Sequence, residues 1–244
     1  MLKIKNLVKS FGGIIATDEL SLSIESGEFH ALIGPNGAGK TSLIEQITGE
    51  IKQDSGKIFF DGKEISDLPI HSRSVHGLAR SFQITNIFKD MTTLDNVALA
   101  VQSRSGHSFC FWKNAIIDPK LREPALTFLK QVKLETRSDI ISGQLSHGEH
   151  RQLEIAMALA TNPKILLLDE PMAGMGPQES KAMVHILKKL KKRITILLVE
   201  HDMEVVFALA DKITVLVNGK AIASDYPEAI RNNPDVQATY LGEV

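Results

Sequence analysis

The sequence predicts an α/β fold with a mainly parallel sheet, and two observations support this prediction. Short, almost unbroken runs of Ile, Leu and Val are typical of parallel strands that helices cover on both faces. Such runs lie at 28–34, 164–170 and 194–202. Stretches rich in helix-forming residues separate them, and strands that alternate with helices indicate crossover connections. These stretches lie at 41–50, 147–161 and 178–193.

The two ends of the chain depart from this alternation. Residues 2–11 and 18–26 alternate apolar with polar side chains, as strands do when one face lies on a core and the other meets water. They predict an N-terminal antiparallel β subdomain. Residues 210–224 predict a closing hairpin around the pair Asn218 and Gly219, a strong turn signal.

The span 84–160 has no such strand-like runs. We therefore expect a mainly helical insert there. The α/β core would then comprise residues of about 1–83 and 161–244. We interpret the whole chain as one domain made of this core and its helical insert.

Composition excludes several classes of protein. The chain has 244 residues and a net charge of −1, which argues against a nucleic-acid binder held by general electrostatics. Its single cysteine, Cys110, excludes an internal disulfide framework and a cysteine-rich zinc site. No apolar run approaches the ~18 residues of a membrane span, and the first residues lack the apolar stretch of a secretory signal. We expect a protein that is made and kept in the cytoplasm.

The strongest motif is the segment Gly34–Thr41, called the phosphate loop below. It matches G-x-x-x-x-G-K-[ST] between a predicted strand and a predicted helix. Its glycines allow backbone N–H groups to surround phosphates, Lys40 adds a positive charge, and the Thr41 hydroxyl can bind Mg²⁺. The residues expected to bind the nucleotide here are Gly34, Pro35, Asn36, Gly37, Ala38, Gly39, Lys40, Thr41 and Ser42.

A second carboxylate-bearing motif complements the phosphate loop. The apolar run at 165–168 ends in Asp169 and Glu170. We expect Asp169 to hold Mg²⁺ through water. Glu170 can polarise a water molecule that attacks the γ-phosphate. Without the phosphate loop, the same pair would indicate only a strand that ends in solvated acidic residues.

The segment Leu145–Glu149, called the signature segment below, precedes a predicted helix. Ser146 and Glu149 form a capping-box pattern, which alone indicates only a well-capped helix. Ser146 and Gly148 at a helix N-terminus also form an anion-binding arrangement. With the other motifs in this order, the segment resembles the LSGGQ-type signature of ABC ATPases. The resemblance covers essentially the whole chain, through the phosphate loop, Gln83, the signature segment, Asp169–Glu170 and His201.

This resemblance implies ATP and Mg²⁺ as cofactors and a second ABC ATPase subunit as partner, since these domains pair head to tail. It implies that one subunit's signature segment contacts the ATP bound to the other. The residues that would make this contact are Ser146, His147, Gly148 and Glu149. Whether the two subunits are identical stays open.

Three further residues take their expected roles from the resemblance. Phe11 resembles the aromatic that stacks on adenine. Gln83 resembles the residue that contacts Mg²⁺ and the attacking water. His201 resembles the switch histidine that contacts the γ-phosphate beside Glu170, so Glu170, His201 and Gln83 form the expected catalytic set. Without the resemblance, Phe11 would be an ordinary apolar residue of a strand and Gln83 a polar residue of a loop. His201 would be a histidine at a strand end that hydrogen-bonds to a backbone group.

The sequence departs from the ABC pattern at two positions. His147 stands where the common signature has Gly, so its side chain is expected to point away from phosphate. Gly176 takes the place where many relatives have the D-loop aspartate. This second departure weakens any expectation of an aspartate-mediated link between the two ATP sites, although Glu170 and His201 remain.

The stretches 145–160 and 169–179 are similar to the ATP-binding subunits of branched-chain amino-acid uptake systems, the LivG-like group. That similarity implies two transmembrane permease subunits, an indirect periplasmic solute-binding partner, no nucleic acid, and a peripheral position on the cytoplasmic face of the inner membrane. Segment 102–120 also fits the group, and its apolar cluster 109–112 either contacts a permease or the membrane or packs under its own loop.

Other functions stay open at this point. A urea importer, or an importer of another amino acid or amide, is a close alternative. A soluble ABC-type ATPase that acts on nucleic acid usually needs two nucleotide domains in one chain or a long coiled coil, and neither fits this length. The signature segment and His201 argue against a small-metabolite kinase.

Overall fold

The computed structural model describes residues 1–81, 87–104, 118–191 and 193–238. The predictions for Gln83 and for the cluster 109–112 therefore lie outside the described residues. The strands are β1 (Leu2–Phe11), β2 (Ile14–Ile24), β3 (Phe29–Ile33), β4 (Ser55–Phe60), β5 (Lys63–Glu64), β6 (Leu78–Ser81), β7 (Ile165–Asp169), β8 (Thr195–Val199), β9 (Lys212–Val217) and β10 (Lys220–Asp225).

Helices connect and cover these strands. They are α1 (Lys40–Thr48), α2 (Ile70–Val75), α3 (Thr93–Arg104), α4 (Pro119–Gln131), α5 (His147–Ala160), α6 (Pro177–Leu190), α7 (Met203–Leu209), α8 (Pro227–Arg231) and α9 (Pro234–Val236). No helix in the described part of the chain is long and apolar enough to cross a membrane.

The N-terminal sheet is antiparallel, as its alternating pattern predicts. Its strand order is β2-β1-β4-β5. Leu2 lies opposite Ile24, and Ile4 lies opposite Leu22. All four of these side chains are buried, because residues two apart along a strand point to the same face. This face packs against the α/β core.

The second sheet has the order β10-β9-β3-β8-β7-β6. All of its pairings are parallel except the hairpin of β9 and β10, which confirms the predicted fold class. Strand β8 lies between β3 and β7, so the carboxyl ends of these three strands are neighbours at one edge of the sheet. In open α/β sheets, ligands bind at this edge, and all three of the motifs that follow these strands converge there.

Apolar packing holds the helices against the parallel sheet. Helix α6 buries Met183, Ile186, Leu187 and Leu190, the helical spacing expected for one apolar face. Strands β7 and β8 are buried over their whole lengths, as parallel strands covered on both faces should be. The edge that carries the motifs therefore rests on a rigid core.

Several short elements of the fold are absent from the sequence prediction, and β6 and α2 are two of them. Strand β6 has only four residues, and its polar members Arg80 and Ser81 conceal its pattern. It is recognisable as a strand because it pairs with β7. Helix α2 spans only six residues. Between 93 and 160, the described residues form helices α3, α4 and α5 and two short 3₁₀ turns, and the division into core and insert stays a prediction.

Candidate nucleotide site

The phosphate loop leaves the carboxyl end of β3 and enters α1, as its motif predicts. Gly34 has φ of 150°, and a Cβ there would lie 2.0 Å from the Leu216 carbonyl oxygen. Gly39 has φ of 99°, and a Cβ there would lie 2.0 Å from the Ala16 carbonyl oxygen. Because a side chain would collide with backbone at both positions, only glycine allows the loop to pack this closely.

The amino terminus of α1 provides donors for an anion. The first N–H groups of a helix, here those of Lys40, Thr41 and Ser42, have no acceptor within the helix. The first turn of α1 contains no acidic residue of its own, so the helix itself does not neutralise the positive end of its dipole. Asn36 and Gly37, at the tip of the loop, are exposed. The arrangement is that of an anion site open to solvent.

Lys40 places its positive charge across the loop. Its Nζ donates hydrogen bonds to the carbonyl oxygens of Gly34 at 2.6 Å and Pro35 at 2.9 Å. The residue is only 7% exposed. Burial lowers the pKa of Lys40, and the nearby carboxylates of Glu170 and Asp169 offset part of this effect. The loop carbonyls therefore hold the ammonium group at the place where phosphates would need a counter-charge.

Asp169 lies buried at the end of β7, 2% exposed. Its Oδ2 accepts a hydrogen bond of 3.1 Å from Nη2 of Arg80. Its Oδ1 is also buried and has no hydrogen-bond partner among the described residues. Burial raises the pKa of Asp169, and Arg80 opposes this change only in part. Buried polar atoms normally have a partner, so the unpartnered Oδ1 is suited to bind a ligand.

These residues fit the Mg²⁺ that the sequence predicts. The part of the chain that the structure describes contains no group of three or more His, Cys, Asp or Glu side chains that could hold a metal ion. Mg²⁺ commonly keeps several waters and takes one or two carboxylates together with substrate phosphates. One buried carboxylate oxygen near Lys40 suits that mode of binding, with the Thr41 hydroxyl as the expected second protein ligand.

Glu170 adopts an unusual backbone conformation immediately after β7. Its φ is 48°, in the left-handed region, where a non-glycine residue costs about 1–3 kcal/mol. Its N–H donates to the Val199 carbonyl oxygen at 2.9 Å. Its Oε1 lies 3.9 Å from Nδ1 of His201, whose side chain is 61% exposed. The strained turn brings the expected base and the expected switch histidine together.

Glu200 supports this pair and is absent from the sequence prediction. It is almost completely buried. Its carboxylate accepts hydrogen bonds from the N–H groups of Met172 at 3.1 Å and His201 at 3.2 Å. Burial raises the pKa of Glu200, while these N–H groups lower it less strongly. It therefore joins the two loops that carry Glu170 and His201. The only signal in the sequence is an acidic residue directly before His201.

Ser146 is the N-cap of α5 and forms the predicted capping box with Glu149. Both carboxylate oxygens of Glu149 accept hydrogen bonds, Oε2 from the Ser146 N–H at 2.9 Å and Oε1 from Nε of Arg137 at 2.8 Å. Burial alone would raise the pKa of Glu149, but the Ser146 N–H and Arg137 bring it below its usual value. In this arrangement the Glu149 side chain stabilises the helix start, and Ser146 is the exposed member of the pair.

His147 turns away from this helix start, as the sequence predicts. Its Nε2 lies 3.0 Å from the Ala173 carbonyl oxygen. The Ser146 hydroxyl donates to Glu179 Oε1 at 3.1 Å, and Glu179 Oε2 accepts from the Gly176 N–H at 3.2 Å. The signature segment is thereby joined to the loop 171–176 by side chains that the sequence analysis did not connect.

The signature segment opens onto its own pocket. That pocket, of about 380 Å³, is lined from α5, α6 and the residues before them, and it includes Ser146, Gly148 and Glu179. None of the phosphate-loop residues lines it.

Phe11 is 46% exposed at the tip of the β1–β2 hairpin, so it does not serve as a core residue. Replacement by Ala is expected to weaken ATP binding through loss of stacking on adenine, by roughly 1–3 kcal/mol, which corresponds to about 5- to 150-fold in affinity. Titration with a fluorescent ATP analogue measures the change. Ile14→Ala is the matched control, because Ile14 is the exposed residue opposite Phe11. Equal affinity in the two variants would contradict the stacking role.

A glycine loop after one strand, with a carboxylate at the end of the parallel strand two places away in the same sheet, is the arrangement of P-loop nucleotide hydrolases, and this is the class to which the site assigns the chain. Within that class the chain belongs to the ABC transporter family, since the family model described as ABC transporter matches residues 17–173. It is accordingly an ATPase cassette, which confirms the resemblance stated from the motifs.

Similarity to characterised proteins extends over the whole chain. The high-affinity branched-chain amino acid transport ATP-binding protein BraF of Pseudomonas aeruginosa is 37% identical over 250 residues, which covers 100% of this chain and 98% of BraF. The corresponding protein LivG of Escherichia coli is 35% identical over 254 residues, again covering 100% and 98%.

Solved structures agree with the fold. A nucleotide-free ATP-binding cassette from an ABC transporter has a TM-score of 0.86 at 33% identity, and the match covers 98% of each chain. A dimeric cassette in a post-hydrolysis state, bound to ADP and Pi, has a TM-score of 0.79 at 28% identity and covers 93% of this chain and 99% of that one. Relatives of this chain therefore bind nucleotide and form dimers.

Proposed function

We propose that this protein is the ATP-hydrolysing subunit of an importer for the branched-chain amino acids leucine, isoleucine and valine. The observation that carries the proposal is the end-to-end similarity to BraF and LivG, whose names state branched-chain amino acid transport. An ATPase cassette does not touch the solute, so no side chain of this chain reads solute chemistry. The assignment of the solute therefore comes from these relatives.

The proposed working unit is a head-to-tail dimer of cassettes. Ser146, which is exposed, and the N–H groups at the start of α5 form an anion-binding arrangement. No phosphate-loop residue of the same chain lines its pocket, which is consistent with a signature segment that serves an ATP bound to another subunit. The dimeric relative supports this arrangement. Each ATP would lie between one phosphate loop and the partner's Ser146 and Gly148.

Within this dimer each of the site residues of one chain has a separate role in ATP binding or hydrolysis. Lys40 and the N–H groups of α1 bind the phosphates. Asp169 and Thr41, with Gln83, would hold Mg²⁺, which would supply positive charge against the phosphates. Glu170 accepts a proton from the attacking water. His201, 3.9 Å from Glu170, positions the γ-phosphate.

Closure and reopening of the dimer would drive two transmembrane permease subunits, and a periplasmic solute-binding protein would deliver the amino acid. A cassette that moves permeases must sit at the cytoplasmic face of the inner membrane as a peripheral subunit. ATP would close the interface because its phosphates join both subunits. Hydrolysis removes that bridge, so the interface reopens.

Uptake measurements test the solute. In cells that lack this protein, we expect loss of leucine, isoleucine and valine uptake with urea uptake unchanged. Expression of the intact chain should restore uptake, and expression of the Lys40→Ala variant should not. Loss of urea uptake alone would assign the urea importer instead. Unchanged uptake of all four solutes would contradict a role in either system.

A further inference from the structure

We propose that Arg80 is a positioning residue that sets the Mg²⁺ dependence of nucleotide binding by joining Asp169 to Glu50 through two fixed hydrogen bonds. Arg80 has no role in the sequence analysis or in the function proposed above. The inference rests on that proposed function, since it concerns the same metal-binding carboxylate. Its basis is the geometry of one guanidinium and the two carboxylates it joins.

The guanidinium of Arg80 makes one hydrogen bond to each of two carboxylates. Nη1 donates to Glu50 Oε2 at 2.8 Å, and Nη2 donates to Asp169 Oδ2 at 3.1 Å. The Arg80 side chain is buried, as is that of Asp169. The Glu50 end of this link is partly exposed, and charge-assisted hydrogen bonds of this kind are stronger than those between neutral groups. Arg80 thus connects the residues directly after α1 with the end of β7.

These contacts orient Asp169 in a specific way. Oδ2 is held by Arg80, whereas Oδ1 is buried and has no hydrogen-bond partner in the described part of the chain. A carboxylate fixed at one oxygen offers the other in one direction only. Residues that hold a metal ligand from behind commonly change metal affinity 10–100-fold when they are altered. Arg80 occupies this position relative to Asp169.

The link also joins two parts of the site. Helix α1 begins at Lys40 and Thr41, which end the phosphate loop, and Glu50 lies just beyond the C-terminal end of the helix. Arg80 therefore holds the far end of the phosphate-binding helix and the metal-binding carboxylate at a set separation. A lysine at position 80 would keep the positive charge, but it cannot present the two donors of a planar guanidinium in fixed directions.

The Arg80→Lys variant separates geometry from charge. Binding of a fluorescent ATP analogue is measured in EDTA and then during titration with MgCl₂. We expect the affinity in EDTA to be unchanged and the MgCl₂ concentration for half-maximal enhancement to rise about tenfold. Arg122→Lys is the control, because Arg122 bonds Asp95 at 2.8 Å between α3 and α4. That control should show the wild-type Mg²⁺ dependence.

A second variant guards against a simple folding defect. Glu50→Gln leaves Arg80 in place with an uncharged acceptor, and we expect a smaller rise in the MgCl₂ requirement, with a wild-type circular dichroism spectrum. An unchanged or lowered MgCl₂ requirement in folded Arg80→Lys protein would overturn the positioning role. Absence of analogue binding to the wild-type protein would instead overturn the proposed nucleotide site.

Discussion

The Glu170→Gln variant is expected to hydrolyse ATP at least 100-fold more slowly than the wild-type protein and to bind ATP with the same affinity. General-base catalysis by a positioned side chain contributes about 10²–10⁴-fold to rate, and Gln lacks the carboxylate that would accept the proton. The amide has the same size, so the strained backbone at φ 48° should be retained. Steady-state phosphate release and analogue titration measure the two quantities.

A further consequence follows for the dimer. If hydrolysis removes the ATP bridge, its loss should leave the Glu170→Gln protein as an ATP-dependent dimer, detectable by light scattering. Glu204→Gln is the matched control, since Glu204 is an exposed carboxylate in the first turn of α7. Wild-type turnover in Glu170→Gln would refute the assignment of the base, whatever the state of the dimer.

The Lys40→Ala variant is expected to lose at least a hundredfold in ATP affinity. Charge-assisted hydrogen bonds contribute roughly 1.5–3 kcal/mol each, so even at the lower value the loss of two corresponds to more than about a hundredfold in binding. Nζ donates to two loop carbonyls, which hold the ammonium group inside the phosphate loop. Isothermal titration with ATP measures the affinity.

Truncation at position 40 also removes a buried alkyl chain, so a second variant isolates the charge. Lys40→Met retains an unbranched apolar chain and should lose affinity to a similar extent. Lys52→Ala is the control and should bind ATP normally, because Lys52 is an exposed lysine whose ion-pair partner is the exposed carboxylate of Asp67. Wild-type affinity in Lys40→Met would mean that the ammonium group does not bind phosphate.

Local patterns were sufficient to predict much of this protein. The glycines of the phosphate loop are recognisable from the spacing of its motif. The buried strands β7 and β8 appear as runs of Ile, Leu and Val. The capping box of Ser146 and Glu149 follows from residues three apart. Each of these patterns spans only a few neighbouring positions, so it can be recognised in a single sequence.

Contacts between distant segments could not be predicted in this way. Arg80 meets Asp169 across 89 positions of the chain, and Ser146 meets Glu179 across 33. Strand β6 is too short and too polar to be recognised before its pairing with β7 is known. These contacts depend on the order of strands in the sheet and on helix packing, neither of which leaves a local pattern.

The sequence by itself determined the class of chemistry. The loop glycines, Lys40, Asp169 and Glu170 lie directly beside the strand or helix that positions them, so their arrangement is visible in a short motif. Tertiary structure decided how these groups are held. It placed β8 between β3 and β7, so that three strand ends meet at one edge. It also gave Asp169 and the Glu170–His201 pair their supports, Arg80 and Glu200. The physical reason is that strand pairing and burial join residues regardless of their separation along the chain.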